Sequence, residues 1–119
     1  MINKTLVKVV ENTLKRNRVR PCKNLGSVTI WFSEQEGNPA EVVSDILEAI
    51  DEEFGSQAVA INNRGEEWVL SSVVVENFGI NEEFHGSITV DIGECLFCIS
   101  YGLVGDEDSG DSCFTIYFE

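Results

Sequence analysis

The chemistry this chain can offer is carried mainly by carboxylates. Glu41, Asp45, Glu48 and Glu52 recur at intervals of four, three and four residues, the spacing that stacks side chains along one face of a helix. At about 1.5 Å of rise per residue the row covers roughly 16 Å, with neighbours about 5–6 Å apart. Phosphates recur about every 3.4 Å along one nucleic-acid strand, so the row is a coarser array of the same sign that suits a phosphate-binding groove. Asp51 lies beside it, and further carboxylates cluster in the connecting segments: Glu34 and Glu36, Glu66 and Glu67, Glu82 and Glu83, and Asp106, Glu107, Asp108 and Asp111. One acidic helix face is ordinarily a solvated face. Accumulated like charge without interspersed Lys or Arg costs stability, however, and asks for a reason.

Other chemistry is harder to assemble. Cys95 and Cys98 form a C-x-x-C, but they sit in the apolar run from Glu94 to Val104, which reads as a buried strand. A separation of three puts their side chains on opposite faces of a regular strand, where they cannot share a metal. The loop from Gly105 to Asp111 fails the calcium-loop spacing, because counting from Asp106 puts Gly110 fifth and Tyr117 twelfth, where oxygen ligands are required. The single histidine, His85, sits beside Gly86 without a nucleophile motif, phosphate loop or metal-ligand partner. No carboxylate is singled out as a general acid. These readings predict a non-enzymatic protein with no metal and no cofactor.

The charges are sorted along the chain. Seven of eight cations fall in residues 1–23 against Glu11 alone, a net of +6, while residues 24–119 hold Arg64 against 20 carboxylates, a net of −19. A body of that charge attracts cationic surfaces and repels nucleic acid and anionic membrane. With 119 residues, 43% of them hydrophobic, the chain is expected to fold as one domain over 1–119. Four cysteines in a sequence lacking a signal-peptide pattern or a long apolar span point to reduced thiols in the cytoplasm.

The elements that position these residues follow from periodicity. Residues 2–18 predict a basic amphipathic helix, with Ile2, Leu6, Val9, Val10 and Leu14 on one side and Pro21 as its stop. Residues 25–32 predict a strand, with Val28, Ile30 and Phe32 facing away from Thr29 and Trp31. Asn38 as cap, Pro39 at the first turn and Gly55 at the end bracket a second helix carrying the carboxylate row. Period-two patterns predict strands over 59–62, 67–76, 87–92, 94–104 and 112–118, joined by short turns. The expected fold is α+β: an antiparallel sheet of five or six strands with two amphipathic helices packed on one face. The other face would bear Trp31, Thr29, Thr89, Thr115 and Tyr117, an aromatic and threonine surface that serves either cross-strand pairing or binding.

The function expected from this pattern is that of a small inhibitor covering a basic, nucleic-acid-binding surface of another protein, foremost an immunity protein against a toxin nuclease. A phage-encoded DNA mimic acting against restriction or CRISPR machinery is the alternative. A third class is an acidic secretion chaperone or adaptor, dimeric through docking of the basic N-terminal helix onto the acidic face of a second copy.

Overall fold

The computed structural model describes residues 3–24, 26–31, 38–76, 79–93, 95–104 and 111–118. The first helix, α1 (Lys4–Arg16), is capped by Asn3, whose Oδ1 accepts from the amides of Thr5 at 2.9 Å and Leu6 at 3.1 Å. It ends two residues short of the expected limit, and Pro21 is not what stops it. Arg18 adopts a left-handed φ of 57°. The Arg18 amide donates to the Lys15 carbonyl and the Val19 amide to the Leu14 carbonyl, a Schellman closure with Val19 and Leu14 both buried.

Two short strands follow, β1 (Cys22–Asn24) and β2 (Ser27–Trp31). The first of these has no alternation to announce it. The second helix, α2 (Pro39–Phe54), follows the expected boundaries: Asn38 Oδ1 accepts from the Ala40 amide at 2.9 Å, and Gly55 closes the end at φ 56°.

Beyond a single turn of 3-10 helix at Gly55–Gln57 lie β3 (Val59–Ile61), β4 (Glu67–Val69), β5 (Val75–Glu76), β6 (Gly79–Ile80), β7 (Ser87–Asp91), β8 (Leu96–Val104) and β9 (Asp111–Phe118). The segment 67–76 is not one strand as its β-branched composition predicts. It breaks at a 3-10 turn, Leu70–Ser72, because Leu70 is drawn into the core at 1% exposure next to α2. The connecting segment that carries Glu34 and Glu36 lies outside the described residues.

Among the described residues all pairings are antiparallel. The main sheet has seven strands in the order β1-β2-β9-β8-β7-β3-β4, and β5 and β6 form a separate hairpin. The sheet is wider than the periodicity implied because β1 is recruited to its edge. Register puts Val28, Ile116, Ile99 and Ile88 in one row, and Ile30, Phe114 and Tyr101 in the next. These residues join Leu6, Val10 and Leu14 of α1 and Val43, Ile46, Leu47 and Ile50 of α2 in one continuous core. Burying a side chain of this size contributes about 1.5–3 kcal/mol.

Candidate functional site

α2 separates its side chains cleanly. Val42, Val43, Ile46, Leu47 and Ile50 are buried, while Glu41, Asp45, Glu48 and Glu52 are exposed along the opposite face. Asp51 is half-buried, and Glu53 adds an exposed carboxylate that the spacing of the row does not mark out. The helix thus carries six carboxylates and no cation.

Two clefts flank this ridge. Asp45, Glu48 and Glu52 line one of about 360 Å³ together with Arg16, Asn17 and Ala49. Glu48, Asp51 and Glu52 line another of about 400 Å³ with Ser44, Leu47, Leu70, Ser71 and Val73. Glu48 and Glu52 are therefore the common wall of both, a crest with a recess on either side. A Lys or Arg side chain entering either recess would meet two or three carboxylates and, in the second, apolar groups for its methylene stem.

The charges on the ridge are uncompensated. Among the described residues the ion pairs are Lys23 with Glu11 at 3.5 Å, and Arg64 with Glu66 at 2.9 Å and with Glu83. None of the six α2 carboxylates has a cationic nitrogen of a described residue within 4.0 Å. Arg16 faces the first cleft, yet its Nη2 donates to the Thr13 hydroxyl at 3.2 Å. The spacing of the carboxylates gave no hint of Arg16, which tertiary packing of α1 beside α2 brings to the cleft.

Glu82 and Glu83, also expected in the site, are not gathered with α2. Glu82 is exposed and Glu83 half-buried in the turn before β7, and Glu83 is held by Arg64 in a separate cluster with Glu66. Asp106, Glu107 and Asp108 lie outside the described residues, as do Glu34 and Glu36. Asp111 heads β9 opposite Val104.

Cys95 is buried just before β8, and Cys98 sits on the opposite face of the sheet, paired in register with Thr89 and Tyr117. His85 is exposed in a turn at φ 44°. Among the described residues no group of three or more His, Cys, Asp or Glu is placed to hold a metal ion. Comparison with protein-family models, with curated proteins and with solved structures found no match. Among the described residues no helix is long and apolar enough to cross a membrane.

Away from α2, the second face of the sheet is open. Trp31, Thr29 and Thr115 are half-buried on it, Tyr117 is 45% exposed, and the Thr29 and Thr115 hydroxyls lie 3.4 Å apart. Register adds Thr89 and Ile61 in the row of Tyr117, and Leu96, Asp91, Val59 and Val69 in the next.

Proposed function

We propose that the chain is a small acidic inhibitor that binds and masks a basic, nucleic-acid-binding surface of another protein, with α2 as its binding ridge. The observation that carries this reading is where the charge is spent. Asp51, Glu52 and Glu53 occupy the last turn of α2, which holds no basic residue. Carboxylates there oppose the helix dipole, at a cost of about 0.3–1 kcal/mol each at low ionic strength. A helix shaped for stability alone would carry Lys or Arg in that turn, as α1 does with Lys15 and Arg16. A row of anions held without partners at a stability cost fits a surface kept ready for cations from outside.

The target is accordingly a protein with clustered Lys and Arg, and the inhibitor itself makes no direct contact with nucleic acid or anionic membrane. An immunity protein that neutralises a toxin nuclease fits the small α+β body and the further acidic group at Glu82, set on a different element from α2. A DNA-mimicking anti-defence protein is the second reading. It is favoured by the ridge itself, a single unbroken helix of 16 residues, about 24 Å long, that carries the roughly 16 Å row of regularly spaced charge.

The test is affinity capture of the full chain against host lysate at low and high salt, in parallel with a variant carrying Glu41→Gln, Asp45→Asn, Glu48→Gln and Glu52→Gln. Supporting the reading would be a basic nuclease or nucleic-acid-guided complex retained by the native chain at low salt and lost by the variant. A partner indifferent to all four changes would remove α2 from the binding surface.

A further inference from the structure

The large apolar residues left exposed in this molecule are not scattered. Among the described residues they are Val69, Val74, Leu96 and Tyr117, at 62%, 58%, 39% and 45% exposure, and three of the four stand on the open face of the seven-stranded sheet. The same face is poor in charge. Of its described side chains only Asp91 and Glu67 are ionisable carboxylates, in a chain whose net charge is −13. The rest are hydroxyls, aliphatic groups, the Cys98 and Cys113 thiols and the Trp31 and Tyr117 rings. A sheet with one face in the core and the other in water ordinarily shows charged residues on the wet side, alternating with the buried ones. Here that alternation places Thr, Ser, Leu, Val and aromatic groups where Lys and Glu would be usual.

We infer that this open sheet face is the docking surface for a second copy of the chain, so that two molecules stack sheet against sheet with their α2 ridges turned outward. The area of the face and its low charge point to the occupant. A basic partner is drawn to the carboxylates of α2 instead, and although two −13 bodies repel each other, copies meeting through this face oppose only Asp91 and Glu67 among its described side chains. Antiparallel sheets stack face to face at about 10 Å, and a two-fold arrangement lets each copy offer the same Tyr117, Leu96 and Val69 patch to the other. Seven strands about 4.8 Å apart and about five residues long make a face of roughly 500 Å² in projection. Two such faces bury roughly 1,000 Å², the lower bound for a specific interface, so the dimer is reversible rather than obligate. The ridge-binding reading above can fail without affecting this one, because the two surfaces share no residue.

Sedimentation velocity of the full chain over a rising concentration series, at low and at high NaCl, tests it. The expected result is a shift from a 13.2 kDa species toward twice that mass, with the dimer favoured by salt because screening relieves repulsion between two −13 bodies. Tyr117→Glu and Val69→Glu should hold the chain monomeric at unchanged circular dichroism, and Tyr117→Phe should restore the dimer. If either Glu variant loses its fold, the native chain still decides the matter through Cys98, which is half-exposed on this face. Its modification by a thiol reagent, located by mass spectrometry, should slow in proportion to the dimer fraction. A chain that is monomeric at every concentration and salt overturns the proposal. So does a dimer that survives both Glu substitutions, or one that dissolves as salt is raised, which would indicate docking of the basic α1 onto the acidic ridge instead.

Discussion

Arg16 and Glu48 line the same cleft between α1 and α2, yet no ion pair closes it, and the Arg16 guanidinium donates to the Thr13 hydroxyl at 3.2 Å. A cation beside the ridge that does not neutralise it lowers the ridge's field without occupying its carboxylates. Stability and binding are therefore expected to respond to charge in opposite directions.

Arg16→Gln should make the fold slightly less stable, by about 0.3–1 kcal/mol, through loss of a cation at the C-terminal end of α1. It should also speed association with a cationic partner at low salt. Urea denaturation and stopped-flow binding would read the two effects separately. Slower association in this variant would mean that Arg16 touches the partner.

Glu53→Lys should do the reverse. Reversing an anion in the last turn of α2 should raise stability by about 0.3–1 kcal/mol at low ionic strength, with the gain fading as salt is added. Partner affinity should fall. A loss of stability would show that Glu53 has a structural role its exposed position does not reveal.

At the end of α1, Arg18 is held in a left-handed conformation that a residue with a Cβ adopts only under strain. Arg18→Gly should leave the melting temperature unchanged or raise it, by up to about 1 kcal/mol of stability, since relief of strain is partly offset by the freer unfolded chain. Arg18→Val should lower it by more than that, because a branched Cβ fits this region poorly. Equal effects from the two substitutions would contradict the Schellman closure.

Asn62, 5% exposed at the end of β3, accepts through Oδ1 from the amides of Arg64 at 3.0 Å and Glu66 at 2.9 Å. These bonds shape the turn that sets Arg64 between Glu66 and Glu83. Asn62→Ala should cost about 1–3 kcal/mol in urea denaturation, from two lost hydrogen bonds at about 0.5–1.5 kcal/mol each. A loss well below that range would mean that water replaces the side chain.

Much of the frame was legible where local chemistry and tertiary packing agree. Asn38, Pro39 and Gly55 mark both ends of α2, and the alternation of Val28 with Thr29, or Ile116 with Tyr117, assigns each to its face of the sheet. The exposed carboxylate row of α2 follows from spacing alone. Local pattern fails where contacts distant in sequence decide. Cys22–Asn24 becomes a strand only because β2 offers it an edge, and the run from Trp68 to Val75 breaks at Leu70 because the core beside α2 takes that side chain. Nor could spacing foresee that Glu83 is engaged by Arg64, 19 residues away, while Glu48 and Glu52 remain without a cation between two clefts.

The central claim, that α2 stands in for nucleic acid on a basic surface, is tested most directly by displacement. Labelled duplex DNA would be bound to the captured partner and the full chain titrated in, with fluorescence anisotropy following release at two salt concentrations. The account predicts complete release of the DNA by the native chain, and little release by the variant neutralised at Glu41, Asp45, Glu48 and Glu52. Formation of a ternary complex, with DNA retained while the chain is bound, would contradict it.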